Sequence, residues 1–448
     1  MKNKTINVRN LIAYLLPLIM VVAHIIVMYS LFPGIYYYDI GVQLEQYNSG
    51  IFNTSHPLLH TLFVGYFSNL PNGRGYVVAT IIQLLLVDSS VYYMLLYVYS
   101  IRKKLAAHIF FVCFFAFMPL CSFLTISHTK DILFAAFAIV FVIDMLRFNK
   151  CKSTYSPLFF LLFRIRMAIN IILVTLLRNN AMYAFLAMLI IIFVIFIRNK
   201  KQRYYKELLI LLTLSIFLAF ASGKALVKIT DANPGSIKEM MSIPCQIMAR
   251  IYNTSATESE KEVILSYIAK PEDYQYYLAD HIKMQLEFDV LDSKCKHFLL
   301  DTAIIAIHHP IDSLLAVWYN IQGFFDPLHC PYSSDHFFLV PLEYRGGAVM
   351  TPKWPDIYYS FYINYFFTSE NLSHTPLIIF FNMATYIWIY IISFIASIRK
   401  KQRYARLSYL FPLLYLGTLL LGPGAIIRYG FMFILLLPVA WMNITNKQ

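Results

Sequence analysis

The amino-acid sequence predicts an all-α polytopic membrane protein with about ten transmembrane helices and a mainly helical extracytoplasmic domain. Three observations carry the prediction. Hydrophobic residues make up 59% of the chain and charged residues only 14%, a balance too apolar for a protein surrounded by water. Several apolar stretches exceed the roughly 18 residues that mark a bilayer-spanning helix. The positive charges collect in short loops: Lys2, Lys4 and Arg9; Arg102 to Lys104; Arg147, Lys150 and Lys152; Arg198 to Arg203; Arg399 to Arg406. Loops of that kind face the cytoplasm.

The elements follow in order, starting from a cytoplasmic N-terminus. Helix 1 (11–33) runs outward and helix 2 (76–100) returns to Arg102. Helix 3 (105–124) runs out and helix 4 (132–148) returns to the Arg147–Lys152 loop. Helix 5 (157–177) runs out, although Arg164 and Arg166 suit its first half to the interface. Helix 6 (181–198) returns and helix 7 (206–222) runs out. A polar stretch, 223–373, comes next. Helix 8 (375–398) returns to Arg399, helix 9 (407–422) runs out and helix 10 (428–442) returns, leaving both termini cytoplasmic. The expected units are an N-terminal membrane module (1–222) with an outer loop at 34–75, an extracytoplasmic domain (223–373) and a C-terminal membrane module (374–448).

The net charge of +13 would suggest nucleic acid in a soluble domain, but the cytoplasmic loops account for it. The stretch 223–373 holds 18 acidic and 11 basic residues, a net −7. No basic, aromatic-interleaved face remains for nucleic acid. Within this stretch the run 298–325 is apolar but interrupted by Asp301, His308-His309-Pro310 and Asp312, so it reads as an amphipathic helix pair rather than a span. Pro-broken helices and short Tyr-rich loops are expected after Gly323. The first apolar run, Leu11 to Phe32, is too long for a signal-peptide core and has no A-x-A site. The six cysteines form no framework; they read as small apolar residues with room for one external disulfide among Cys245, Cys295 and Cys330.

Chemistry is sought in the outward loops 34–75, 125–131, 178–180 and 422–428. Only six acidic residues lie outside 223–373: Asp39, Glu45, Asp88, Asp131, Asp144 and Glu207. Asp39, Glu45 and Asp131 fall in outward loops, where a carboxylate near lipid is costly and often serves a purpose. Asp39 and Asp131 sit at helix ends, so distant segments could bring both to one interfacial pocket for general-base work or for positioning a metal or acceptor. Each also has a plainer use. Asp39 suits a turn or N-cap before Ile40-Gly41-Val42. Asp131 suits the first turn of helix 4 behind Ser127 or Thr129. Asp88, mid-span beside Ser89 and Ser90, reads as paired inside the bundle.

Cations are equally sparse on the outer face. Lys130, Arg178 and Arg428 stand against the charge rule for that side and need a local partner there. A lipid phosphate or pyrophosphate fits, because guanidinium forks match phosphate oxygens in pairs. Headgroup anchoring or an internal salt bridge fits each one singly. His56, in His56-Pro57-Leu58, suits a pyrophosphate contact or a helix cap. His308-His309 has no acidic partner at metal spacing in the sequence. A divalent metal is possible, but no ligand spacing supports one, and no phosphate-loop or hydrolase motif occurs in a suitable context.

These residues resemble the GT-C superfamily of membrane glycosyltransferases, in particular a bacterial branch of it. The shared pattern is an aspartate soon after helix 1, then Gln, then His-Pro-Leu ahead of helix 2: here Asp39, Gln43 and His56-Pro57-Leu58. Ser127–Asp131 looks like that superfamily's second acidic loop. The blocks Leu177-Arg178-Asn179-Asn180, Ser242–Arg250 and Pro423–Tyr429 are also similar. The resemblance implies a polyprenyl-phosphate-linked sugar as donor, a glycan, lipid or protein as acceptor, and inversion at the anomeric carbon. It implies Asp39 as general base and Asp131 as the second acidic residue. Gln43, His56, Lys130, Arg178, Arg428 and Tyr429 would be substrate-binding. Two departures stand out: a single proline after His56, and His-Thr-Lys where an acidic pair is usual. A polysaccharide polymerase worked by the two arginines, and a lipid-linked-glycan flippase or transporter, are the alternatives.

Overall fold

A computed structural model describes residues 8–70, 75–199, 203–289, 293–328, 337–339, 376 and 378–445. The described chain is helical apart from two short strands, which fits a bilayer, where helices satisfy every backbone polar group internally. The first span breaks at Pro17 into α1 (Val8–Leu15) and α2 (Leu18–Ser30). Strand β1 (Ile35–Tyr37) leads into α3 (Tyr38–Ser49) and α4 (Leu58–Ser68), so the expected outer loop 34–75 is itself largely helical. Then come α5 (Gly75–Arg102), α6 (Leu105–Phe117), α7 (Pro119–Thr125), α8 (Lys130–Thr154), α9 (Pro157–Leu177), α10 (Asn179–Arg198) and α11 (Arg203–Thr230). A small domain follows, with α12 (Ser242–Thr254), α13 (Glu258–Leu265), α14 (Asp280–Lys283), α15 (Ser293–His308) and α16 (Pro310–Ile321). After strand β2 (Phe337–Leu339) the chain closes with α17 (Ile378–Phe381), α18 (Met383–Arg399), α19 (Arg403–Leu419), α20 (Phe431–Leu435) and α21 (Leu437–Ile444).

Among the described residues, five helices or helix runs are long and apolar enough to cross a membrane, and three bent pairs raise the number to eight if each is one span. The protein is therefore an α-helical membrane protein. Helices also form at the other expected positions, but α18 and α19 are short and α8 carries Lys130, Asp131, Asp144 and Arg147. α8 is the central pillar, packed by α5, α9, α19 and α20 and buried along most of its length. Its partners neutralise its charges. Asp144 pairs with Arg166 and accepts from Tyr93 Oη at 2.8 Å, and Arg147 donates to the same hydroxyl at 2.6 Å. α9 is one unbroken helix through Arg164 and Arg166, with Arg164 Cζ 5.9 Å from the Phe160 ring centre. Asp88 is paired within the bundle, 2.8 Å from His24 Nδ1, while His24 Nε2 lies 2.9 Å from the Phe115 carbonyl.

Two ends of the bundle are chemically distinct. Arg102 reaches Thr445 Oγ1 at 2.9 Å, Lys400 reaches the Asn443 carbonyl at 2.6 Å and Lys152 pairs with Glu207 at 3.2 Å, gathering basic loops at one end. At the other end the intervening loops are stitched together by backbone. Ile35 N–H donates to Ile126 at 3.1 Å, Asn233 N–H to Phe52 at 2.9 Å and Ala279 N–H to Pro423 at 2.6 Å. β1 and β2 pair antiparallel, Tyr36 opposite Phe338. The small domain has its own core around Cys245, Met248, Ile264 and Phe298. Cys245 and Cys295 are both buried there, and Cys330 lies outside the described residues, as does most of the Pro-broken, Tyr-rich stretch expected after Gly323.

Candidate functional site

The stitched end builds the site. Gly34 lets β1 approach α5: its φ is +137°, and a Cβ there would fall 2.7 Å from Thr80 Oγ1. This close approach delivers Asp39 into the first turn of α3. The loop 125–129 is held from α5 as well. Gln83 Nε2 donates to the carbonyls of Thr125 and Ser127 at 2.8 and 2.7 Å, and Thr80 Oγ1 lies 2.7 Å from His128 Nε2. α8 therefore starts at a fixed place, with Lys130 and Asp131 in its first turn.

Five charged groups from four separate segments meet there. Lys130 Nζ donates to Asp39 Oδ2 at 2.7 Å, and Arg428 Nη2 lies 3.4 Å from the same oxygen. Arg428 Nε is 3.1 Å from Asp131 Oδ2, and Arg178 donates to Asp131 Oδ1. Tyr429 packs against both guanidinium groups, with its ring centre 4.4 Å from Arg178 Cζ and 5.3 Å from Arg428 Cζ. Three cations face two carboxylates, which leaves one positive charge in excess and suits the cluster to an anion.

The two carboxylates differ in access. The Asp131 side chain is 1% exposed, whereas that of Asp39 is 18% exposed. Asp39 is thus the reachable acid and Asp131 the buried one that fixes both arginines. Burial pushes the Asp39 carboxyl up, but the charges of Lys130 and Arg428 outweigh it and hold the group well below the usual carboxylate range. His56 Nδ1 lies 3.2 Å from Lys130 Nζ. An ammonium can only donate, so Nδ1 accepts and the ring proton sits on Nε2. Burial and the Lys130 charge push His56 down to about 4, so the ring is neutral.

Of the residues singled out from sequence, Asp39, Asp131, His56, Lys130, Arg178, Arg428 and Tyr429 all come together. Gln43 is placed differently. It is buried, and its amide bonds Thr61 Oγ1 at 3.1 Å and His60 Nδ1 at 3.0 Å, which ties α3 to α4 beneath the cluster. Glu45 is exposed and outside the ion cluster. His60 and His128 were not anticipated. Both are fully buried, and burial holds His60 well below its ordinary value and His128 down at about 3. His60 follows His56 by four positions, and Thr80 and Gln83 are polar residues in the otherwise apolar first half of α5; those are the available signals. Among the described residues no three His, Cys, Asp or Glu side chains converge as a metal-binding group.

The model of one family, described as a family of unknown function (DUF6020), matches residues 38–448. The chain belongs to that family. No curated protein and no solved structure matches it. The matched stretch begins one residue before Asp39 and takes in every member of the charged cluster.

Proposed function

We propose that this protein is a cell-membrane glycosyltransferase that moves a sugar from a polyprenyl-phosphate donor to an extracytoplasmic glycan, lipid or protein acceptor. The observation that supports the reading is the meeting of Asp39 with Lys130 and Arg428 at the end of the bundle away from the basic loops. In this reading the chain crosses the membrane ten times, both termini are cytoplasmic, and the cluster lies at the outer interface. A polyprenyl-phosphate sugar carries its scissile bond at that level, with the isoprenoid tail in lipid.

The chemistry follows from the groups present. The acceptor hydroxyl oxygen attacks the anomeric carbon, and the bond from that carbon to the phosphate oxygen breaks with its electron pair going to the phosphate. The hydroxyl proton passes to Asp39. One displacement of this kind inverts the anomeric centre. Lys130, Arg428 and the Nε2–H of His56 counter the leaving phosphate, while Asp131 and Tyr429 aim the guanidinium groups. Paired with Lys130 and Arg428, Asp39 is a weak base. A bound phosphate competes for those cations, and burial then raises the carboxyl toward working basicity.

A second reading has one observation in its favour. Arg178 and Arg428 share Asp131 and flank Tyr429, the paired-arginine arrangement that a polymerase of lipid-linked repeat units would use. Assaying Asp39→Asn and Arg178→Lys side by side, at matched membrane abundance, separates the two. Loss of sugar transfer in Asp39→Asn supports the first reading. Full transfer in Asp39→Asn with loss in Arg178→Lys supports the second.

A further inference from the structure

α15 and α16 meet at His309 with a bend of 112°. Four charged side chains or histidines lie between residues 301 and 321, and all four turn toward the small domain. Asp301 accepts from Tyr267 Oη at 2.6 Å. His308 and His309 lie 3.2 and 3.0 Å from the Glu260 carboxylate. Asp312 accepts from Ser255 Oγ at 2.8 Å and pairs with Arg250 Nε at 3.1 Å.

The opposite face is apolar. Leu300, Ile304 and Ile307 on α15, and Ile311, Leu314 and Trp318 on α16, are 44–76% exposed. Their spacing of three or four residues gives one stripe on each helix. Ile307 and Ile311 flank the bend, so the stripes join. A continuous apolar face of this kind on a helix pair needs a partner.

The chain beyond α16 indicates which partner. Phe324 is wholly buried in the core shared by the membrane helices. The Phe325 carbonyl accepts from Trp388 Nε1 at 2.7 Å. Trp388 stands five residues into α18, about 8 Å along its axis at 1.5 Å per residue. Asn320, at the end of α16, donates to the Gly422 carbonyl at 2.9 Å, and the chain just past that end is thus sunk below the rim of the bundle, beside lipid-facing helix. α15 and α16 have 16 and 12 residues, roughly 24 and 18 Å, and neither crosses the ~30 Å hydrocarbon layer alone. Together they are apolar enough to pass for a span, but the bend turns the chain back toward the side it came from.

We propose that the α15–α16 elbow lies in the lipid of the leaflet beside the charged cluster, as an in-plane membrane anchor for the small domain. Lipid covers the six-residue apolar face, while the paired polar face carries the domain above it. The elbow fixes the height of the domain over Asp39 without adding a span. This placement stands independently of what the charged cluster does.

The test uses the full chain in nanodiscs of phosphatidylcholine and phosphatidylglycerol. A nitroxide is placed at Ile307→Cys or Ile311→Cys, with Lys296→Cys on the same helix as reference, the native cysteines being replaced by serine. Collisions with molecular oxygen should exceed those with a water-soluble nickel chelate at 307 and 311, with the reverse at 296. Nickel-dominated collisions at 307 and 311 would overturn the proposal. So would a label reached by neither reagent and broadened by a second spin, the sign of a second copy seated on this face. The unmodified chain supplies an independent reading: an apolar diazirine dissolved in the bilayer should label 293–321 several-fold more than 242–265. Equal labelling would also overturn it.

Discussion

Lys130 Nζ sits 2.7 Å from Asp39 Oδ2, joining the first turn of α8 to the first turn of α3. The contact spans 91 positions of sequence, and its precision comes from backbone stitching rather than from the two flexible side chains. A carboxylate held in this way is a poor base until its cation is drawn elsewhere, so the pair links anion binding to proton transfer.

Removing the ammonium tests that link through stability. Because the folded-state pKa of Asp39 is lowered, the pairing stabilises the fold above the unfolded carboxyl value of about 4. The contribution is lost as pH falls through the lower folded value. Lys130→Met should therefore be less stable than the parent by about 1–3 kcal/mol at neutral pH, with the difference shrinking below pH ~4. Unfolding midpoints in detergent across that range check it. A difference independent of pH would contradict the assignment.

Asp131 should matter more to the fold than Asp39 does. It is buried and faces Arg178 and Arg428 together. Asp131→Ala leaves both guanidinium groups without that carboxylate, and breaking a buried pair costs about 3–5 kcal/mol. Thermal unfolding should fall well below that of Asp39→Asn. An equal or smaller loss would mean that the arginines relax to other partners.

Gln83→Leu should act at a distance. Two hydrogen bonds to the carbonyls of Thr125 and Ser127 disappear, and buried acceptors left unpaired cost about 1–3 kcal/mol each. The loop ahead of Lys130 should loosen, which amide hydrogen exchange at residues 125–131 would register. Unchanged protection there would show that Thr80 and the strand contact hold the loop alone.

Gly34→Ala should fail for a steric reason. The new Cβ would meet Thr80 Oγ1 at 2.7 Å and the Ile126 carbonyl at 3.1 Å, at a φ that L-residues avoid. Expression and melting temperature should both drop, and Thr80→Ser should not rescue them, because Oγ1 remains.

Much of this architecture is legible from apolar runs and charge placement. Residues such as Ile190 and Phe217 face lipid and signal their helices directly, and scarcity alone singled out Asp39, Asp131, Lys130, Arg178 and Arg428. What sequence conceals is pairing across distance. That Arg178 takes Asp131 while Lys130 takes Asp39 depends on where the loops are tied, by backbone bonds that leave no side-chain signature and by Gln83 and Thr80 of α5, whose partners the sequence does not name. β1 and β2 are three residues each and some 300 positions apart, too short for any alternation to show. α3 and α4 were hidden inside a stretch read as a loop, since α3 is short and its residues mixed in polarity. His308-His309 seemed to lack an acid only because Glu260 lies 48 positions upstream.

The most direct measurement is sugar transfer by Asp39→Asn in proteoliposomes charged with polyprenyl-phosphate sugar and a hydroxyl acceptor. The variant should retain donor binding, since Lys130 and Arg428 remain, and lose transfer by at least a hundredfold, the lower end of what a positioned base contributes. Transfer at the parent rate, from protein of equal abundance and unfolding temperature, would contradict the role given to Asp39 and with it the proposed function.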